Sequence, residues 1–262
     1  MKLSNVNDPS RDDANAAALR SFAALDPNAI ALLLDVDGTL IDIGPSPFEV
    51  DVPDTLKSSL ERLYDLTQGA LALVSGRPIR DLDRLFEPLR LPAVGGHGAE
   101  MRLAEGAAVA RVEDLPQALR SRLIAAADPA AGVEFEDKGY SVALHFRKAP
   151  AHADRLRTHV SASRAAFPDE ATEVLPGKMM IEIKRPGIDK GGGVRELMRH
   201  KPFHDRMPVF IGDDVTDEAA FAALPGFGGK GYSVNREFDG LSGIFSAPDE
   251  VRRALQQLAT LK

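Results

Sequence analysis

A short apolar run that ends in two closely spaced aspartates constrains the fold of this chain more than any other feature. Residues 31–34 read ALLL and are followed at 35–39 by DVDGT. A continuous apolar run is typical of a strand buried on both faces of a parallel sheet, and α/β sheets bind ligands at the carboxyl ends of such strands. A carboxylate there can attack phosphorus while a second one transfers protons. This segment alone leaves open a plain acidic turn.

Length and composition are those of an ordinary globular protein. The 262 residues, 44% of them hydrophobic, allow one large domain or two smaller ones. A net charge of −7 argues against nucleic acid or an anionic membrane as the partner. The absence of cysteine excludes disulfides, thiolate catalysis and cysteine-ligated metals. Since neither a membrane-spanning run nor a signal-peptide core is found, a cytoplasmic location is expected.

The apolar pattern predicts two architectures along the chain. Residues 29–100 and 187–262 alternate short apolar runs with amphipathic helices, which predicts a doubly wound parallel α/β sheet as the catalytic core. Residues 101–186 read as hairpin, helix, hairpin, helix and hairpin, beginning with a turn at Glu105-Gly106. This predicts an inserted α+β cap domain with an antiparallel sheet. Residues 1–28 form an N-terminal extension without a motif.

Two further segments supply groups that can hold a phosphoryl oxygen. The second predicted strand ends in Ser75-Gly76-Arg77, where a hydroxyl and the adjacent backbone N–H groups can bind an anion. Lys190 opens a predicted helix, and its ammonium can neutralise Asp35 and an incoming phosphate near the helix N-terminus. In isolation, each segment is as consistent with a solvated loop as with a phosphate site.

A fourth segment combines a strand with a dense group of acids. The run 209–211 is followed by a glycine and then by Asp213 and Asp214. Oxygen ligands at the end of a strand suit Mg²⁺, which takes one or two carboxylates together with water and substrate phosphate. Asp217 and Glu218 are interpreted as acids that favour the N-terminus of the next helix.

Together, the four segments resemble the motifs of the haloacid dehalogenase-like phosphohydrolase superfamily over about residues 30–245. The inserted segment stands where members with a type-2 cap carry theirs. The resemblance implies that Asp35 is the nucleophile and Asp37 the general acid and base. Ser75 and Lys190 would hold the phosphoryl oxygens. It also implies a Mg²⁺ cofactor, whose expected ligands are Asp35, the backbone carbonyl of Asp37, Asp213 and Asp214.

Within that superfamily the chain is most similar to the trehalose-6-phosphate phosphatases. The phrases that carry this similarity are GGHGAE at 95–100, EDKGYS at 136–141, HFR at 145–147, GKMMIE at 177–182 and GDDVTDE at 212–218. The similarity implies that the cap recognises the sugar, although an exposed sheet with solvated charges fits the same residues. His97 is interpreted as a loop residue and not as a base. The residues expected to contact the substrate are Gly38, Thr39, Gly76, Arg77, His97, Glu100, Glu136, Lys138, Ser141, His145, Arg147, Lys178 and Glu182.

The function implied by this resemblance is hydrolysis of trehalose 6-phosphate to trehalose and phosphate through an aspartyl phosphate. The substrate is then a small disaccharide phosphate. A monomeric enzyme is expected, with an oligomer as the alternative. Phosphatases of the same type that act on sucrose phosphate or a glycosyl-3-phosphoglycerate are one alternative. A non-catalytic regulatory homologue and a phosphomutase are the others. The chain departs from the family at Val36, where a tyrosine is common.

Overall fold

The computed structural model describes residues 9–44, 50–177 and 179–260, and it divides the chain into two compact units. The larger unit comprises Met1–Ala110 and Asp189–Lys262, and the smaller comprises Arg111–Ile188. The strands are β1 (Ile30–Leu34), β2 (Leu71–Val74), β3 (Ala93–Gly95), β4 (Glu100–Arg102), β5 (Ala110–Arg111), β6 (Glu134–Asp137), β7 (Ser141–His145), β8 (Glu173–Gly177), β9 (Met180–Lys184), β10 (Met207–Gly212), β11 (Lys230–Val234) and β12 (Gly243–Phe245). The helices are α1 (Pro9–Ala23), α2 (Asp54–Leu66), α3 (Ile79–Leu85), α4 (Gln117–Ile124), α5 (Ala153–Ala165), α6 (Lys190–Leu197), α7 (Glu218–Ala223) and α8 (Pro248–Ala259). Within the described ranges, no helix has the length and apolar character needed to cross a membrane.

The larger unit is built on a mainly parallel sheet, as the sequence predicts. Its strand order is β12-β11-β10-β1-β2-β3-β4-β5, and each pairing from β12 to β3 is parallel. The chain runs outward from β1 through β2 and β3 on one side, and from β10 through β11 and β12 on the other. The topological switch point therefore lies between β1 and β10, where α/β sheets bind their ligands. The predicted fold class is confirmed.

The two faces of β1 pack against different helices. Leu32 belongs to a core that includes Leu60 of α2 and Leu255 of α8. Leu33 belongs to a second core with Leu197 of α6. Because successive strand residues point to opposite faces, helices on both sides bury the whole strand, which explains its continuous apolar sequence.

The segment 101–112, expected to open the inserted domain, extends the large sheet instead. β4 pairs antiparallel with β3, and β5 follows at the edge. Arg102 on β4 is buried and donates hydrogen bonds to Asp83 and to the carbonyl of Leu91, which hold this strand in the larger unit. The smaller compact unit spans 111–188, and the sequence-based prediction for the inserted domain is 101–186. Hairpin spacing in a sequence specifies a turn, but it does not specify which sheet the strands join.

The N-terminal extension expected at 1–28 contains α1, which packs against the large sheet. Phe22 is fully buried and makes edge-on ring contacts with Tyr232 and Phe245, at centroid distances of 5.4 and 6.0 Å. The hydroxyls of Ser21 and Tyr232 lie 3.0 Å apart. Residues 1–8 of the extension lie outside the described residues. From Pro9 onward, the extension is thus a structural part of the larger unit.

The smaller unit is an antiparallel sheet covered on one face by α4 and α5. Its strand order is β6-β7-β9-β8. Val142 of β7 shares a core with Leu156 of α5, so residues of this parity face the helices. On the opposite face, Glu136 of β6 and Glu182 of β9 are both direct register partners of Ala143 on β7. Polar side chains from neighbouring strands are thereby gathered on the face that does not carry the helices.

Replacement of Ser163 by alanine should stabilise the smaller unit. Ser163 lies on α5, and its buried hydroxyl has no hydrogen-bond partner among the described residues. An unsatisfied buried hydroxyl costs about 1–3 kcal/mol, so Ser163→Ala should raise the free energy of unfolding by an amount of that order. The exposed Ser161 on the same helix is the matched control, because Ser161→Ala changes only helix propensity, by about 0.5 kcal/mol. Urea unfolding of both variants compares the two effects, and equal gains would contradict the prediction.

Candidate active site

Asp35 lies at the carboxyl end of β1, beside the switch point of the sheet. Its backbone N–H donates to the carbonyl of Ile211 on β10 at 2.9 Å, which extends the strand pairing by one residue. Its buried carboxylate accepts a hydrogen bond from Lys190 Nζ at 2.6 Å on Oδ1 and from Thr39 Oγ1 at 3.0 Å on Oδ2. The structure thus brings Lys190 to Asp35 and Thr39, although Lys190 lies 155 residues from Asp35 in the sequence.

The cluster around Asp35 holds more carboxylates than cations. Oxygens of Asp35, Asp213 and Asp217 lie within 4.8 Å of one another, and Lys190 Nζ contacts Asp35 and Asp217 at 2.6 Å each. Burial raises the pKa of Asp35 to about 8 although Lys190 acts in the opposite direction, and burial also raises the pKa of Asp213. Burial alone would lower the pKa of Lys190, but the two carboxylates together raise it. Excess negative charge on hard oxygen donors fits a divalent cation.

In the acidic loop after β10, the aspartate that joins Asp213 in the cluster is Asp217 and not Asp214, which the sequence predicts. Asp214, expected at the metal, has a side chain that is 61% exposed, and its Oδ1 accepts the N–H of Val215 at 2.6 Å as a helix cap. Asp217, interpreted as a helix-terminal acid, is fully buried. Its Oδ2 accepts the N–H groups of Asp213 and Asp214 at 2.9 and 3.0 Å, and its Oδ1 faces Lys190.

The structure therefore assigns the two acids of this loop to different tasks. Asp35, Asp213 and Asp217 each bring a carboxylate oxygen to the cluster, and both oxygens of Asp217 also accept hydrogen bonds, from Lys190 and from two backbone N–H groups. The signal that could have identified Asp217 is its spacing of three residues from Asp214, which is that of a capping box, where the N3 side chain accepts the N–H of the N-cap residue.

Two glycines allow the acids to approach the backbone. Gly38 has a φ of 78°, and a Cβ at this position would lie 2.2 Å from Asp213 Oδ2. A Cβ at Gly212 would lie 2.5 Å from Asp217 Cγ. The glycine of the first motif is required because the carboxylate of Asp213 occupies the space of a side chain.

The loop after β2 carries Arg77, which binds the carboxylate of Asp37, the second aspartate of the first motif. Arg77 donates from Nε to Asp37 Oδ2 at 2.6 Å and from Nη2 to Asp37 Oδ1 at 2.5 Å. Both groups are partly buried, and such paired hydrogen bonds fix the plane of a carboxylate. Hydrogen bonding to Asp37 is the largest influence on Arg77 and raises its pKa. Ser75, also buried, accepts the N–H of Arg77 on Oγ at 3.1 Å.

The remaining predicted residues of the larger unit, His97 and Glu100, contact this loop or the start of the helix that follows it. His97 follows β3, and its ring lies against Gly76. Glu100 accepts the N–H of Ile79 at the start of α3, at 2.7 Å. Both residues are predicted from the sequence to contact the substrate, and in the structure His97 contacts Gly76 and Glu100 contacts the backbone of Ile79.

Five of the predicted cap residues form a polar cluster on the smaller unit. Ser141 Oγ donates to Glu182 Oε1 at 2.7 Å. Lys138 Nζ lies 3.6 Å from Glu136 Oε2 and 3.7 Å from Glu182 Oε1, and His145 Nε2 lies 3.8 Å from Glu136 Oε2. This cluster of Glu136, Lys138, Ser141, His145 and Glu182 is called the polar cluster below.

The other two predicted cap residues are not part of the polar cluster as described. Arg147 is exposed in the turn after β7. Lys178 lies outside the described residues.

A parallel sheet whose central strand ends in a buried aspartate, with a lysine, a hydroxyl and acidic side chains around it, defines a haloacid dehalogenase-like phosphohydrolase. The family model "Trehalose-phosphatase" matches residues 33–239. The "Trehalose-6-phosphate phosphatase" of Escherichia coli K12 is 37% identical over 240 residues, which cover 87% of this chain and 88% of that protein. The chain belongs to the trehalose-phosphatase family, whose members are phosphoric monoester hydrolases.

Solved structures show the same fold. A trehalose-6-phosphate phosphatase of Aspergillus fumigatus (crystal form 2) matches with a TM-score of 0.68 and 19% identity, over 94% of this chain and 98% of that chain. The C-terminal domain of a trehalose synthase regulatory protein of Candida albicans matches with a TM-score of 0.65 and 12% identity, over 93% and 97% of the two chains. The fold therefore occurs in proteins described as a phosphatase and as a regulator.

Proposed function

We propose that this protein is a Mg²⁺-dependent phosphatase that hydrolyses trehalose 6-phosphate to trehalose and phosphate. The observation that carries the proposal is the buried contact of Asp35 with Lys190 next to Asp213, on a chain of the trehalose-phosphatase family. The proposal keeps the expectations of a cytoplasmic and monomeric enzyme. It also keeps a disaccharide phosphate as the substrate, on the basis of the named relative.

The first step transfers the phosphoryl group to Asp35. A carboxylate oxygen of Asp35 attacks phosphorus, an O–P bond forms, and the bond between phosphorus and the sugar oxygen breaks. Asp37 gives its proton to the departing sugar oxygen, so trehalose leaves as a neutral alcohol. Lys190 and the Ser75 hydroxyl stabilise the phosphoryl oxygens on which negative charge accumulates.

The second step returns Asp35 to its carboxylate form. Asp37, now ionised, takes a proton from a water molecule whose oxygen attacks phosphorus. The bond between phosphorus and Asp35 breaks, and inorganic phosphate is released. Asp37 regains the proton that it gave away in the first step, so the cycle is balanced.

Asp35 and Asp213 are the carboxylates that would hold the cation, together with the backbone carbonyl of Asp37. A bound divalent cation supplies positive charge that offsets the charge of the phosphate and of the two carboxylates. Mg²⁺ suits this donor set because it prefers oxygen ligands and retains positions for water and substrate phosphate. Asp214, as a helix cap, would then act at most through its neighbour Asp213.

The polar cluster of the smaller unit is proposed to recognise the sugar. Its carboxylates accept hydrogen bonds from sugar hydroxyls, and Lys138 donates to them. Glu182 is held by Ser141, so this acceptor is already oriented in the absence of a ligand. Alternating acceptors and donors on one sheet face suit the many hydroxyls of a disaccharide.

A regulatory protein of the same fold is the second candidate, because the Candida albicans domain shows that the fold also occurs in a protein with that description. The complete set of Asp35, Asp37, Ser75, Lys190 and Asp213 favours catalysis in this chain. The products formed distinguish the remaining alternatives. These are hydrolysis of sucrose phosphate, hydrolysis of a glycosyl-3-phosphoglycerate, and transfer of the phosphoryl group to a second position of the sugar.

Phosphate release from a panel of sugar phosphates tests the proposal. With Mg²⁺, trehalose 6-phosphate should be hydrolysed in preference to sucrose 6-phosphate, a glycosyl-3-phosphoglycerate and glucose 6-phosphate, and EDTA should abolish release. Even activity over the panel would contradict the assigned substrate, and a sugar bisphosphate or isomer would indicate a mutase. The absence of release from every compound would favour the regulatory candidate.

Replacement of Lys138 by methionine should weaken recognition of the sugar. Loss of a charge-assisted hydrogen bond of about 1.5–3 kcal/mol predicts a KM for trehalose 6-phosphate raised about tenfold or more. The KM for p-nitrophenyl phosphate, which has no sugar, should remain unchanged. Lys148 is the matched control, since it is exposed, lies in the same unit and pairs with Glu134 at 2.7 Å outside the polar cluster. An equal change of both KM values in Lys138→Met would contradict a role in sugar recognition.

A further inference from the structure

The segment 96–100 after β3 is fastened to the loop 75–79 after β2 by backbone hydrogen bonds and one carboxylate. This segment is part of the phrase GGHGAE, which the proposed mechanism does not use. The three contacts are Gly96 N to Arg77 O at 2.9 Å, His97 N to Ser75 O at 3.0 Å and Ile79 N to Glu100 Oε2 at 2.7 Å. They bind the beginning, middle and end of the loop to one short segment.

The ring of His97 also packs against the loop 75–79, at Gly76. His97 has a φ of 56°, in the left-handed region that few residues other than glycine adopt. A Cβ at Gly76 would lie 2.4 Å from His97 Cε1, so the ring covers the backbone of Gly76 directly. The strained backbone of His97 and the missing side chain at residue 76 are two halves of one packing arrangement.

The loop held in this way carries the groups that contact Asp37 and the phosphoryl site. Arg77 fixes both carboxylate oxygens of Asp37, and the N–H of Arg77 donates to Ser75 Oγ. A displacement of the loop would therefore move the guanidinium and release Asp37. The path from Glu100 to Asp37 runs through Ile79 and Arg77, with a hydrogen bond at each end.

We propose that Glu100 and His97 are positioning residues that act on Asp37 through Arg77. This replaces the expectation that they contact the substrate. The inference rests on the proposed function, because Asp37 is there the proton donor and acceptor.

With p-nitrophenyl phosphate as the substrate, only the second chemical step depends strongly on the orientation of Asp37. This anion departs without a proton, so formation of the aspartyl phosphate proceeds even when Asp37 is displaced. The attack of water still requires Asp37 as the base. Loss of the contacts between the segment 96–100 and the loop 75–79 should therefore slow the second step more than the first, and phosphorylated enzyme should accumulate.

The experiment compares Glu100→Ala with Glu100→Gln in the full chain, with Mg²⁺. Glu100→Ala should lower kcat for trehalose 6-phosphate by about tenfold or more, with KM unchanged, because part of an acid–base contribution is lost. With p-nitrophenyl phosphate it should produce a larger burst of p-nitrophenolate than the wild type. Glu100→Gln retains an oxygen that accepts the N–H of Ile79 and should restore most of kcat.

A double-mutant cycle with Arg77→Met tests the path through the arginine. If Glu100 acts through Arg77, then Glu100→Ala has no further effect on kcat in the Arg77→Met background. An undiminished effect in that background would overturn the proposal. So would a raised KM with unchanged kcat, or a lowered melting temperature with unchanged kcat.

Crystal structures of the variants provide a readout that does not depend on activity. In Glu100→Ala the side chains of Arg77 and Asp37 should be displaced or disordered, and in Glu100→Gln they should keep their pairing. An intact Arg77–Asp37 pair in Glu100→Ala would overturn the proposal even if the wild type hydrolysed none of the sugar phosphates. Absence of wild-type turnover would instead refute the proposed function.

Discussion

Replacement of Asp35 by asparagine should abolish turnover while the fold is retained. The amide has nearly the shape of the carboxylate. Its oxygen can still accept the hydrogen bond of Lys190, and its NH2 group can donate to the Thr39 hydroxyl. The amide cannot form the acyl phosphate, so kcat should fall by about a thousandfold or more, as for the removal of other nucleophiles. Phosphate release measures the loss, and circular dichroism with the melting temperature shows that the protein is folded. Activity near that of the wild type would refute the assignment of the nucleophile.

Two variants in the same loop make this result specific. Asp42→Asn removes an exposed carboxylate seven residues further on and should leave turnover close to that of the wild type. Asp37→Asn leaves the nucleophile in place, so it should still form phosphorylated enzyme from p-nitrophenyl phosphate and fail to hydrolyse it. A loss of activity in all three variants would indicate damage to the loop and not to the chemistry.

Replacement of Arg102 by methionine should destabilise the larger unit by about 3–5 kcal/mol, the cost of breaking a buried ion pair from one side. Arg102 is 1% exposed, and its guanidinium donates to both oxygens of Asp83 and to the carbonyl of Leu91. Methionine fills part of the space but leaves these acceptors without their donor. Chemical unfolding, followed by a probe in the larger unit, measures the change.

Arg90 is the matched control, because it contacts the same Asp83 from solvent. Its side chain is 59% exposed, and its Nη2 lies 3.4 Å from Asp83 Oδ2. Exposed ion pairs contribute about 0–1 kcal/mol, so Arg90→Met should have a correspondingly small effect. If both variants lost the same stability, burial would not be the reason for the importance of Arg102.

The chemical core of the site could be predicted from the sequence because each part is local. Asp35 and Asp37 follow a buried strand, Ser75 follows the next one, and Asp213 follows a third. Parallel strands bring their carboxyl ends to one edge of a sheet, so residues at three strand ends converge without further information. Lys190 joins them because it begins the helix that packs beside this edge.

Other assignments depended on tertiary contacts, which local spacing alone does not decide. Asp214 and Asp217 have the same side chain in the same loop, and only their distances to Lys190 and to the backbone amides separate a cap from a buried member of the cluster. The strand that contains Arg102 joined the large sheet because Asp83 and Leu91 accept its hydrogen bonds there. A turn signal carries no information about such partners.

The sequence by itself determined the sheet, the order of the motifs and the residue types that can perform phosphoryl transfer, because these follow from residues close together in the chain. Only the tertiary structure decided that Asp217 and not Asp214 contacts Lys190, that Arg77 holds Asp37, and that the segment 96–100 supports Arg77. These three contacts join residues that are 27, 40 and 21 positions apart in the sequence, and Lys190 reaches Asp35 over 155 positions. Their geometry is set by the packing of the sheet, which a linear pattern does not record.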